Sequence, residues 1–273
     1  MQLIGLVLVG IVAGGILEFL LLYLLMPMLS NAGAIRKNYQ GIDIPVSVGI
    51  SLPMTIMIVF AIFGLLSSYD NSYHIFLLGV MSISFLGFID DMLGHRDTLG
   101  FRGHFGQLFK GRLTTGGLKA LGGGLIAFFL ALFLSATWYE VLLNTFIIAL
   151  FANMLNLLDL RPGRAGKGFL FFLLIIIGFA KANLDWVLIA PVLGGLLVYL
   201  PYDLKAKVMM GDAGSNVLGL VLGYMCMMFL SWPIRVGVLG FLILVHIYTE
   251  KHSLTKFIEE NVILRTIDNW GRN

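Results

Sequence analysis

Long apolar runs broken by short polar connections dominate this chain. Nine can be drawn: Leu3 to Met26, Val46 to Leu66, Tyr73 to Ile89, Leu118 to Ala136, Val141 to Leu158, Gly168 to Ala180, Trp186 to Leu200, Ala213 to Leu230 and Val236 to Thr249. A helix that crosses a bilayer needs about 20 predominantly apolar residues. The pattern therefore predicts an all-α, polytopic integral membrane bundle of about nine transmembrane helices, in one membrane-embedded domain over residues 1–273. The sixth and ninth runs are short. The first lacks the basic start of a cleavable signal and is expected to be a retained helix. After Thr249 the pattern changes. Residues 250–273 form a basic tail, in which Leu254, Phe257, Ile258 and Val262 recur at helical spacing. That spacing predicts one amphipathic interfacial helix from Ser253 to Leu264.

Composition supports the membrane reading. Hydrophobic residues make up 59% of the chain and charged residues 12%, against about 25% charged in a soluble domain. The mean hydropathy is +0.94. Membrane lipids are therefore expected neighbours, and the net charge of +3 is too small to point to a nucleic-acid partner. Cys226 is the one cysteine, so no disulfide or cysteine-built metal site can form within the chain.

The distribution of charge says more than its sum. Of 18 Lys and Arg residues, only Lys181 and Arg235 fall in one alternate set of connections. All others, from Arg36 and Lys37 through Arg96, Arg102, Lys110 and Arg112 to Arg272, fall in the opposite set. The positive-inside rule makes that set cytoplasmic, with the amino terminus outside and the carboxyl terminus inside. Asp43, Asp90, Asp91, Asp97, Asp159, Asp203, Asp212 and Glu250 share the same side. Only Asp70, Glu140 and Asp185 lie opposite. Whatever chemistry the chain carries is therefore expected to face the cytoplasm.

Three acid-bearing segments end apolar runs on that side. The first is Phe88-Ile89-Asp90-Asp91. Adjacent carboxylates at a membrane edge are costly unless they are solvated, paired or bound to a metal. The second places Asn153, Asn156 and Asp159 three residues apart, roughly on one helix face. This polar stripe must face protein or water rather than lipid. The third, Met210-Gly211-Asp212-Ala213-Gly214-Ser215-Asn216, is a glycine-flanked turn before a helix, where free N–H groups could receive a phosphate. Oxygen-only ligands suit Mg²⁺. Each segment also has a plain reading: a solvated helix end, interhelical hydrogen bonding, and an ordinary N-cap turn. Their co-occurrence favours a shared site.

The order Asp90-Asp91, Asn153-x-x-Asn156-x-x-Asp159, Met210-Gly211-Asp212-x-Gly214-Ser215 resembles the polyprenyl-phosphate N-acetylhexosamine-1-phosphate transferase superfamily, glycosyltransferase family 4. Arg36-Lys37-Asn38-Tyr39-Gln40-Gly41, Ile44-Pro45 and Gly49 are similar to that family's first cytoplasmic loop, and Lys119 matches a basic position. The resemblance implies transfer of N-acetylhexosamine-1-phosphate from a UDP-sugar to undecaprenyl phosphate, releasing UMP, in cell-envelope polymer synthesis. It implies Mg²⁺ on Asp212, with Asp90 as a further ligand. Asp90 or Asp91 would assist the attacking lipid phosphate, and Lys119 would contact a phosphate. Asn153, Asn156 and Asp159, with Gly214 and Ser215, would orient the nucleotide-sugar, and a homodimer is one expected assembly.

Some features depart from the family. Pro162 stands at a second acidic position, and Arg161, Arg164 and Lys167 make that loop cationic, either as a phosphate clamp or as positive-inside anchoring. Met209 stands where some members carry an aromatic. The family's histidine-rich loop has no counterpart, and His252 is the nearest candidate, with an ordinary interfacial role as the alternative. His95 and His104 could touch phosphate or be plain surface groups. Glu18, inside the first run, has no partner visible in the sequence and would face a lipid groove or another subunit. The rival readings are a catalytically reduced homologue that binds polyprenyl phosphate or regulates envelope synthesis, and a small transporter. The clustering of acids at one face opposes the transporter.

Overall fold

The computed structural model describes residues 3–66, 72–94, 114–180 and 184–272. Arg96, Arg102, Lys110, Arg112, Lys181, Asp70, Asp97, His95 and His104 lie outside these residues, as does most of the glycine-rich loop between Asp90 and Gly117. The architecture is an all-α polytopic bundle. Its long helices are α1 (Leu3–Asn31), α2 (Ser51–Leu65), α3 (Ser72–Leu93), α4 (Thr115–Leu134), α5 (Trp138–Leu158), α6 (Arg164–Phe179), α7 (Trp186–Leu204), α8 (Gly211–Phe229) and α9 (Trp232–Lys251). They correspond one to one with the nine apolar runs. Among the described residues eight are long and apolar enough to cross a membrane. Helix α2 reaches that length with the short helical turn before it, over Val48–Leu65, and the exception is α6, whose 16 residues extend about 24 Å.

Helix α8 is the centre, with 83% of its apolar window buried, against 17% for α1 and 11% for α9. It packs on α5, α3 and α6, while α1 makes its broadest contact with α7. Glycines set these distances. A Cβ at Gly219 would fall 2.3 Å from the Phe151 carbonyl oxygen, and one at Gly223 would fall 2.6 Å from Ile148 Cα. These two glycines lie one turn apart, so α8 meets α5 backbone to backbone. Phe60, Phe63, Phe76 and Tyr224 fill the interior around α2, α3 and α8. Cys226 is buried on α8.

Buried polar side chains join the helices. Glu18 of α1 is fully buried and accepts hydrogen bonds from Ser51 and, at 2.7 Å, from Thr55. Its partner is therefore α2, not a groove or another subunit. At the opposite end from the acids, Arg235 of α9 donates to Glu140 at 2.7 Å and to Asn144 at 3.1 Å, both on α5.

Two local features differ from the sequence pattern. The second apolar run begins at Val46, yet helix α2 begins at Ser51. The intervening N–H groups go elsewhere: Val46 donates to Ala34, Val48 to Met209 and Gly49 to Met210. Just before them, β1 (Ile35–Lys37) and β2 (Asp43–Pro45) pair antiparallel. Asn38 Oδ1 accepts from Gln40 and Ile42 N–H at 2.9 and 3.0 Å and closes the hairpin loop. The tail, expected as one helix over Ser253–Leu264, is two: α10 (Leu254–Glu260) and α11 (Val262–Asn269). Extended backbone at Asn261 breaks them, and its Oδ1 accepts from Leu264 N–H at 3.1 Å.

Candidate active site

The acids meet at the start of α8. Gly211 has φ +69°, in the left-handed region glycine tolerates, and this turns the chain into the helix. Three consecutive N–H groups are satisfied by acids from other helices. Gly211 donates to Asp159 Oδ2 at 3.0 Å, Asp212 to Asp91 Oδ1 at 3.0 Å, and Ala213 to Asp91 Oδ2 at 3.2 Å. Asp91 also accepts from Ser47 Oγ at 2.6 Å, and the Arg36 guanidinium holds its carbonyl. Asp91 and Asp159 therefore cap α8 in trans. The turn expected to offer free N–H groups to a phosphate has already given them to carboxylates.

The Asp212 carboxylate is left partly exposed. One of its oxygens accepts from the Lys119 ammonium of α4 and the other from the Asn156 amide of α5. Lys119 Nζ also lies 3.8 Å from Asp90 Oδ2. A cation thus sits between carboxylates of α3 and α8, and all three side chains are only about one-fifth exposed. Close approach makes this possible. A Cβ at Gly87, one turn before Asp91, would fall 2.4 Å from the Asp212 carbonyl oxygen, so any larger residue would push α3 off α8.

Asp159 is half-buried at the end of α5. Its pKa is held well above the usual carboxylate range, first by burial and then by the neighbouring charges of Asp203, Asp212 and Asp91. The Gly211 hydrogen bond opposes this only in part. Asp203, buried on α7, accepts from Gly163 N–H at 3.0 Å and fixes the loop that follows Asp159.

The remaining sequence candidates divide. Ser215 is buried and lies 3.4 Å from the Asn156 amide nitrogen. Asn153 is half-buried and has no side-chain hydrogen bond among the described residues. Gly214 does not face a ligand. A Cβ there would meet Gly49 Cα at 2.8 Å, so its place is in packing. Arg164 and Lys167, considered as a phosphate clamp, are engaged by the tail. Arg164 donates through Nε and Nη2 to Asp268 at 2.9 and 2.7 Å and through Nη1 to Thr255 at 2.9 Å. Lys167 Nζ lies 2.6–3.0 Å from the carbonyls of Ile267, Asp268 and Trp270, where cations favour a helix carboxyl end. Arg161 stays at the surface, 3.3 Å from Glu259. His252 is exposed and stacks on Tyr248.

Ser47 and Arg36 join the site through contacts that the sequence does not reveal. Ser47 carries no sequence signal, because its role depends on a left-handed φ of 62°. Arg36 lies in the first-loop motif, which was its one visible signal. Among the described residues no three His, Cys, Asp or Glu side chains converge to cage a metal by themselves. The carboxylates of Asp90 and Asp212, which share the Lys119 ammonium here, do fit Mg²⁺, which takes one or two carboxylates plus substrate phosphates.

Residues 73–230 match the sequence profile of glycosyl transferase family 4. The chain is 29% identical over 196 residues to a phospho-N-acetylmuramoyl-pentapeptide-transferase of Clostridium beijerinckii, covering 67% of this chain and 60% of that protein. It is 32% identical over 84 residues to a protein of the same name from Fervidobacterium nodosum, covering 30% and 28%. The chain thus spans less than two thirds of the length of these curated relatives. The profile takes in Asp90, Asp91, Lys119, Asn156, Asp159 and Asp212, but neither the hairpin nor the tail.

Proposed function

Because the chain belongs to glycosyl transferase family 4, the polyprenyl-phosphate hexosamine-1-phosphate transferases, we propose that it transfers N-acetylhexosamine-1-phosphate from a UDP-sugar to undecaprenyl phosphate, releasing UMP. The setting is cell-envelope polymer synthesis at a bacterial plasma membrane, with the acids on the cytoplasmic side, as the lysine and arginine bias indicates. A phosphate oxygen of the lipid attacks the sugar-bound phosphorus, the phosphoanhydride bond breaks, and UMP leaves with the released charge. The carrying observation is the cation held between Asp90 and Asp212 from two different helices. Both substrates are anionic, so such a place is what the reaction needs.

Asp212 and Asp90 would hold Mg²⁺, which supplies charge neutralisation for the donor diphosphate. Lys119, which pairs with both acids here, would then be free to pair with a phosphate. Asn156 orients Asp212 through its amide. Asp91 positions α8 rather than touching substrate. Asp159 holds the Gly211 N–H and with it the turn that presents Asp212. A lipid phosphate is already nucleophilic near neutral pH, so no strong base is required.

The test is UMP release by the purified protein with undecaprenyl phosphate, Mg²⁺ and a panel of UDP-sugars. Release is expected with a UDP-N-acetylhexosamine. Asp212→Asn is expected to lower it by at least about a hundredfold with the melting temperature nearly unchanged. No release with any donor, beside retained lipid-phosphate binding, would replace the transferase reading with a binding one.

A further inference from the structure

The family match ends at residue 230, and the tail beyond α9 builds something of its own. Asp268 of α11 is buried and receives two guanidinium forks. One comes from Arg164, and the other from Arg272 at 2.6 and 2.9 Å. Arg272 Nε donates to the Pro162 carbonyl at 2.7 Å. These bonds press the tail onto the loop that begins two residues after Asp159.

A cavity of about 350 Å³ opens between the two, within the size range of small-molecule sites. Tyr39, Arg161, Arg265 and Arg272 line it, with Asn269 and Glu259. The charges do not cancel. Asp268 is shared by Arg164 and Arg272, and Glu259 faces only Arg161, at 3.3 Å. Arg265 has no side-chain partner at all among the described residues. The Arg161 guanidinium lies over the Tyr39 ring, 5.8 Å from its centre, so the ring helps to hold this cation at the cavity wall.

We propose that this cavity is a phosphate-binding site assembled by the carboxyl-terminal tail, with Arg265 and Arg161 as its ligand-facing cations and Tyr39 holding the Arg161 guanidinium in place. Guanidinium forks match phosphate oxygens. The phosphate can be that of a soluble nucleotide or of an anionic lipid headgroup. The second source is in reach because Val262, Ile263 and Trp270 of the same tail are all more than 60% exposed, as in an interfacial helix. The site stands on its own geometry and does not depend on the transferase reading.

Calorimetry of the full chain in neutral detergent with uridine monophosphate, inorganic phosphate and uridine tests the soluble source. Native mass spectrometry, counting retained phosphatidylglycerol against phosphatidylcholine, tests the lipid source. Arg265→Gln is expected to weaken binding of one phosphate-bearing ligand by about tenfold, while Lys256→Gln, outside the cavity, changes nothing. Loss in calorimetry assigns the nucleotide, and loss in mass spectrometry assigns the headgroup. Equal binding by wild type and Arg265→Gln, or no phosphate-dependent binding by either method, overturns the site. UMP release is read separately, so transfer can persist when the site fails.

Discussion

Both oxygens of Asp91 are occupied by Ser47 and the first N–H groups of α8, whereas its neighbour Asp90 faces Lys119. Adjacent and chemically identical, the two acids have different work. Ser47 tests this division. Ser47→Ala removes one buried hydrogen bond to a charged group and is expected to destabilise the protein by about 2 kcal/mol. Ser47→Gly removes the same hydroxyl but suits the positive φ, so it should cost less. Chemical denaturation in detergent measures both, and a costlier glycine variant would refute the positional argument. The sequence located Asp90, Asp91, Asp159 and Asp212 as a group. It could not divide ligands from caps, because hydrogen bonding to α8 depends on how deeply each carboxylate sits. It also placed Gly214 among substrate contacts, since a glycine turn reads the same whether it admits a phosphate or another backbone.

At the scale of helices, the glycines of α3 and α8 hold the acids together. Gly87→Ala would drive a methyl group into the Asp212 carbonyl. It is expected to destabilise the protein by about 1–3 kcal/mol and to lower UMP release as Asp90 moves from Asp212. Gly123, on α4, has nothing within 4 Å of a built Cβ, so Gly123→Ala should be neutral or slightly stabilising. Thermal unfolding of the pair in one detergent checks this, and equal losses would remove the packing argument. Apolar run length gave these helices directly. Two boundaries were illegible for a definite reason: at Val46–Ile50 and at Asn261, backbone or side-chain hydrogen bonds from distant or capping groups override the local pattern.

Across the whole molecule, the tail is joined to the body by charge. Burial raises the pKa of Asp268, but Arg164 and Arg272 outweigh this and hold it below the usual range. A lowered carboxylate pKa contributes stability that is complete above the unfolded value, about 3.9, and lost as pH falls through the folded one. Protection of the amides over residues 254–272, relative to the intrinsic exchange rate at each pH, should therefore hold at about pH 5 and fall at lower pH before that of α8 does. A uniform fall would mean that the tail is not held this way. Nothing in the sequence pattern marked this docking, because Asp268 and Arg164 are 104 residues apart and the cationic loop of Arg164 reads equally as a phosphate clamp or as positive-inside anchoring. The burial of Glu18 carries a consequence for biosynthesis. Its hydroxyl partners lie on α2, the next helix made, so α1 and α2 can enter the bilayer as a hairpin with the carboxyl group already satisfied. The seam where Gly10 and Gly14 meet Pro191 of α7 must wait until most of the chain has been translated, leaving the nascent hairpin's flank bare to lipid in the meantime.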